Sequence, residues 1–229
     1  NLSSQSGDSN SVKAIKKLRT LSFFENNILP NIFLPNLLAV ESWDPVSNNI
    51  VYKKDIYNEA QSSWVRNVEY PQNKTPSAQE AFAVFNSEHI QVSTDKDTGF
   101  VVLSVRHQSP YIAKVWTDLI VKQLNNFFRT KDKTEAQAAV TFLSSQIALT
   151  NFAEIKQVIA QLLQQKTQQL TLIEVSDFYV FEYLDPPAVM ERKSEPRRSL
   201  ICLLGAFLGG CFSILFVVIR HYAFNDKSL

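Results

Sequence analysis

The groups in this chain best suited to chemistry are few and dispersed. Glycan hydrolysis needs two carboxylates held across a cleft. Asp95 and Asp97 fall in one polar turn and Asp185 stands before two prolines, so nothing in the sequence aligns such a pair. His89 and His107 have no metal-ligand spacing and no nucleophile motif beside them. Cys202 and Cys211 sit within one apolar run, on opposite faces of a helix, and cannot pair within it. Gly99 is one of only two glycines outside that run, and a phosphate-cradling loop needs several before a helix. The sequence therefore reads as a non-enzyme with no catalytic residues, no metal ligands and no cofactor. With 23 Lys and Arg against 22 Asp and Glu, it has no electrostatic reason to bind nucleic acid.

The elements that must position anything here begin from the apolar run, Leu200 to Ile219. It passes without a charge, and as a helix it spans about 30 Å, the thickness of a bilayer's hydrocarbon core. Gly205, Gly209 and Ser213 recur every fourth residue, and Ala206 and Gly210 broaden that small-residue face, which suits close packing against another helix. Pro196, Arg197 and Arg198 lead into the run and Arg220 closes it. The implied layout is a flexible lead-in at 1–10, a folded domain at 11–184, a Pro-containing charged linker at 185–198, a transmembrane helix at 199–220 and a short tail at 221–229.

Within the domain the pattern predicts α+β structure. A helix opens at Ser11, with Val12, Ile15, Leu18 and Leu21 on one face and Lys13, Lys16, Lys17 and Arg19 elsewhere. Trp43-Asp44-Pro45 with Asn48 and Asn49 is turn chemistry, and Ile50 to Tyr52 a short strand. Tyr57 and Trp64, seven apart, suggest a helix from Asp55 to Arg66. Ser77 and Glu80 form a capping box before a helix that buries Ala81, Phe82 and Phe85. His89 to Ser93 and Phe100 to Arg106 read as a hairpin around the polar turn that ends at Gly99. Ser109-Pro110 opens a helical arm over about 110–175, with a reversal near Thr150 and a fresh cap at Asn151 and Glu154. Its glutamine-rich face, Gln157 to Gln169, suits carbohydrate, a second copy or plain solvent. Phe178 to Tyr183 reads as a strand joining the 89–106 hairpin in one sheet.

At Pro196-Arg197-Arg198-Ser199-Leu200-Ile201, with Leu204-Gly205 and Gly209-Gly210 following, the chain resembles the Wzz-type polysaccharide co-polymerases without a kinase domain. Trp43-Asp44, Trp64-Val65-Arg66, Pro76-Ser77, Thr98-Gly99-Phe100, Ser109-Pro110 and Tyr179-Val180-Phe181 look like that family's landmarks, in order. The resemblance covers about residues 11–222. It implies a periplasmic base of a small β-sheet packed with helices, a tall helical arm, two membrane helices (the first missing from this fragment), and a ring of several subunits in the bacterial inner membrane. It also implies partners: membrane lipid, a Wzy-type polymerase and, where the ring touches it, the growing polysaccharide. The function implied is regulation of the modal chain length of lipopolysaccharide O-antigen. The alternative is a membrane-tethered periplasmic ligand sensor, which needs an output module that the nine residues after Arg220 cannot supply unless the sequence before Asn1 does.

One rule points the other way. Arg192, Lys193, Arg197 and Arg198 precede the apolar run and only Arg220 and Lys227 follow it, so positive-inside counting puts the domain in the cytoplasm. That rule is weak beside long translocated domains, and the orientation implied by the resemblance is preferred.

Overall fold

The computed structural model describes residues 3–176, 178–194 and 198–225. They fall into two compact units, Asn1–Val189 and Met190–Leu229. The first is mixed α and β. In chain order it carries α1 (Ser3–Leu18), α2 (Leu21–Phe23), a wide helical turn Phe24–Ile28, a tight one Leu29–Asn31, and α3 (Leu34–Leu38). Strands β1 (Val40–Asp44), β2 (Asn49–Tyr52), β3 (Tyr57–Asn58) and β4 (Ser63–Trp64) follow. Then come α4 (Ala78–Val84), a wide turn Phe85–His89, β5 (Ile90–Thr94), β6 (Val101–Val105), α5 (Pro110–Leu149) and α6 (Ala153–Val175).

The core is aromatic and gathers on the first half of α5. Trp116, Ile120, Leu124 and Phe128 recur every fourth residue, so they form one stripe on a helix of 3.6 residues per turn, and all four are buried. Phe23, Phe24, Ile28, Phe85 and Leu18 pack against that stripe. Phe24 meets Phe85 with ring centroids 4.9 Å apart. Fully burying each such side chain is worth roughly 1.5–3 kcal/mol, so this cluster sets the stability of the base. The α4 capping box forms as the sequence predicts: the Ser77 hydroxyl accepts from the Glu80 N–H, and the Glu80 carboxylate from the Ser77 N–H. Gly99 has φ +74°, the left-handed region that its turn demands.

Four expectations are corrected. The helix expected from Ser11 begins earlier, at Ser3. The helix expected at Asp55–Arg66 is instead a tight hairpin, in which Tyr57 pairs directly with Trp64. A spacing of seven matches two turns of helix, but it also matches a pair facing each other across a short loop. Here Ser62 takes φ +48° to make that reversal, and the Tyr57 and Trp64 rings meet edge to face at 5.2 Å. The single sheet is also absent: β1–β2, β3–β4 and β5–β6 are three separate antiparallel pairs, and residues 178–183 form no strand. Finally, α6 starts after an extended Phe152 with no side-chain cap, so Asn151 does not cap it.

α5 runs unbroken for 40 residues, and the Thr134 hydroxyl bonds back to the Thr130 carbonyl within it. The chain then turns at 150–152, and α6 returns antiparallel beside α5, with Lys133 paired to Glu174 at 2.5 Å.

The second unit contains α7 (Arg198–Asn225), 28 residues long. The side chains described along it are those of residues 201–217, about 25 Å of helix, and all are exposed. Among the described residues no helix is long and apolar enough to cross a membrane.

Candidate functional site

The residues singled out in the sequence do not converge on one cleft; each serves a local turn or a cap. The Asp44 carboxylate accepts from the Val46 and Ser47 N–H groups and the Ser47 hydroxyl. The Ser47 hydroxyl, and then the Val46 N–H, hold its carboxyl below the ordinary range. Trp43 donates its indole N–H to Asn48 at 2.9 Å, and its ring lies 6.2 Å from that of Tyr111 in the first turn of α5. Trp64 belongs to an aromatic cluster centred on Tyr57. In the 95–100 turn, the Thr98 and Asp97 N–H groups donate to Asp95, lowering its pKa, while Gly99 N–H donates to the Asp95 carbonyl. Thr98 accepts from the Phe100 N–H at 3.4 Å. Ser109 is buried and its N–H donates to His107, while Pro110 takes the first helical position.

His89 and His107 lie 6.0 Å apart, and both contact the Trp116 ring. Their ring nitrogens are taken up by backbone. His89 faces the carbonyls of Arg106 and Leu37; His107 faces the Asn36 carbonyl and accepts from Ser109 N–H. Burial pushes the His107 pKa down, consistent with a neutral ring that donates on one side and accepts on the other. The pair clamps α3 to the start of α5. Among the described residues no group of His, Cys, Asp and Glu has the makings of a metal site.

The most organised polar structure was not foreseen. Ser176 at the end of the hairpin and residues 179–183 beyond it are tied along one side of α5. Asn125 is buried, and its amide does the work of a missing strand. Its oxygen accepts from the Val180 and Phe181 N–H groups, and its nitrogen donates to the Phe181 carbonyl, all at 2.9 Å. Arg129 donates to the Ser176 carbonyl, Tyr179 to Asp132 at 2.6 Å, and Tyr183 to Asp118 at 3.2 Å. Partial burial, and then Asp118, push the Tyr183 phenol up to about 12; Tyr179 shifts the same way, through burial and Asp132. One signal for Asn125 was present in the sequence: of the two asparagines between Leu124 and Phe128, it is the one that falls in line with Val121, Leu124 and Phe128 on the apolar face.

A groove of about 530 Å³, open on one side, lies between the Phe24–Ile28 turn and α5. Gln123, Asn126, Thr130 and Thr134 follow one another at helical spacing along it, with Asn27, Phe127, Lys131 and Glu135 completing the lining.

On α7, a Cβ added at Gly205, Gly209 or Gly210 would meet open space, and the Ser213 hydroxyl bonds back to the Gly210 carbonyl. That face, Ala206 included, is exposed. Pro196 and Arg197 lie outside the described residues; Arg198 begins α7. No protein-family model matches the chain, and no curated protein matches it.

Proposed function

We propose that this chain is a non-enzymatic inner-membrane scaffold that sets the modal chain length of lipopolysaccharide O-antigen made by a Wzy-type polymerase. The observation that carries the reading is the α5–α6 hairpin. It rises from a compact α/β base at the Ser109-Pro110 landmark, and the chain that follows it is tied to α5 at residues 179–183, just before the linker and the apolar run in sequence. In this reading the base and hairpin are periplasmic, and α7 crosses the inner membrane. The uncharged sequence from Leu200 to Ile219 extends past both ends of the described side chains, which brings it to bilayer length. Several copies form a ring, and the Gly205, Gly209 and Ser213 face packs against another helix there.

Deleting the gene in its host and restoring the full-length version tests this. The expected result is loss of the modal cluster from the lipopolysaccharide ladder on deletion and its return on complementation. An unchanged ladder would overturn the proposal, as would turnover of a glycan by the purified protein. The pair Gly205→Leu with Gly209→Leu should keep normal membrane levels while shifting the ladder.

A further inference from the structure

We infer that His89 and His107 form a proton-operated latch between α3 and the root of α5, in which His89 is the ring built to take a second proton and His107 the ring that must stay neutral. The hydrogen bonds around the two rings carry this. His89 sets both nitrogens against backbone carbonyls, Nδ1 at 2.8 Å from that of Arg106 and Nε2 at 3.2 Å from that of Leu37. A neutral imidazole has one N–H, so it satisfies one carbonyl and turns a lone pair toward the other. An imidazolium donates to both. His107 is placed the opposite way. Its Nε2 faces the Asn36 carbonyl at 2.9 Å, and its Nδ1 accepts from the Ser109 N–H at the same distance. The neutral Nε2–H tautomer satisfies both partners, and a proton added at Nδ1 would meet the Ser109 N–H head on.

The two rings are half-buried, 6.0 Å apart and edge-on to Trp116, so they do not take up charge independently. Their surroundings leave the choice to these bonds. α3 is Leu-Pro-Asn-Leu-Leu and offers carbonyls but no titratable side chain. α5 offers the uncharged indole of Trp116, and Lys114 on the same helix is paired with Asp118 at 2.7 Å. From the end of β6 comes Arg106, whose guanidinium donates to Gln91 at 2.8 Å; Glu88, beside His89, is exposed. Burial holds the His107 pKa below its ordinary value of 6.5, the Asn36 carbonyl offsets part of this, and charge on His89 lowers it further. With the folded value lowered, the contribution of the neutral ring is present above pH 6.5 and lost as pH falls through the folded value. Charging His89 tightens α3 against the end of β6. Charging His107 takes the partner from the N–H of Ser109, which is buried, and the ring escapes that clash by swinging away from Asn36. The first proton closes the latch and the second opens it.

The latch is independent of the chain-length reading, and its test uses no lipopolysaccharide readout. Full-length protein in nanodiscs is taken from about pH 8 to about pH 4.5, across and below the range in which histidine changes charge. Deuterium uptake at each imidazole C2, read by mass spectrometry, follows the charge on His89 and His107 separately. Backbone amide protection over 106–112, corrected for intrinsic exchange, follows the latch. His89 should charge first, and His107 only below the ordinary histidine range. Protection should hold while His89 charges and fall about tenfold or more as His107 does, the loss expected for one buried hydrogen bond. His107→Gln offers an oxygen to the Ser109 N–H and an amide N–H to Asn36 at every pH, and should abolish the fall. His89→Gln removes the neighbouring charge and should move the His107 midpoint up. That measurement tests the coupling even where His107→Gln does not fold. Simultaneous charging of the two rings, or wild-type protection that ignores pH, would overturn the inference. So would a fall that survives His107→Gln, or a His107 midpoint that His89→Gln does not move.

Discussion

The two ends of α5 belong to one unbroken helix and are stabilised in different ways. From Trp116 to Phe128 the helix buries a full apolar stripe in an aromatic core. Beyond Phe128, Ala136 is its only buried residue among those described, and Ile173 the only one on α6. Phe142, Leu149 and Phe152 are 61%, 74% and 68% exposed. Two helices side by side can each cover one stripe, and a second apolar stripe needs a third surface. The lower end is thus held by burial. The upper end is held by one helix–helix seam, by residues of high helix propensity such as Ala, Gln and Leu, and by the Lys133–Glu174 pair at its foot. A continuous backbone does not imply uniform stability along it.

The largest contrast should come from paired truncations. Phe24→Ala or Phe85→Ala empties a site with no solvent exposure, and should cost about 3–5 kcal/mol in denaturant unfolding. Phe142→Ala on the upper hairpin should stay within about 0.5 kcal/mol in the isolated chain. Equal losses would erase the distinction between the two ends.

At the boundary between them, Asn125→Ala leaves three backbone groups of 180–181 without partners, for an expected cost of about 1–3 kcal/mol. Amide exchange at Val180 and Phe181 should accelerate far more than at Ile120. If those two amides stay protected, another group holds the segment.

A smaller effect belongs to the base alone. Ser77→Ala removes one half of the α4 capping box and should cost about 1 kcal/mol by the same unfolding assay, with hairpin exchange rates unchanged.

The smallest effect is alkaline. The Tyr183 phenol has a folded pKa of about 12 against an ordinary value of 10.0. A raised folded pKa means that its contribution is fully present below pH 10 and is lost as pH rises toward 12. Stability measured over that window should fall less steeply in Tyr183→Phe than in wild type. Identical slopes would show that the phenol adds nothing to the tie.

Much of this was legible because it is local. The Ser77–Glu80 box, the Pro110 start of α5 and the 90–105 hairpin with Gly99 each depend on a few neighbouring residues whose conformational demands are strong. What failed depended on distance. Tyr57 and Trp64 give the same spacing for a helix and for a hairpin pair, and only the partners Phe33 and Tyr52 decide between them. Phe178 to Tyr183 has strand composition, yet its backbone partner is a side chain some 55 positions earlier, which no local pattern encodes. The groove was illegible for the same reason: its α5 row is visible as spacing, but Asn27 reaches it only through the tertiary fold.

The length of α5 has a mechanical consequence. Its 40 residues extend about 60 Å; the continuous buried stripe ends at Phe128, so the second half, about 30 Å, projects beyond the aromatic core. Such a rod converts small rotations at its root into larger sweeps at its free end: one degree of tilt displaces the far end of that half by about 0.5 Å. The ties at Asp118, Asn125, Arg129 and Asp132 therefore act as the bearing that fixes its rest angle. A change of a few tenths of an ångström in any of them would be magnified several-fold at the 150–152 turn.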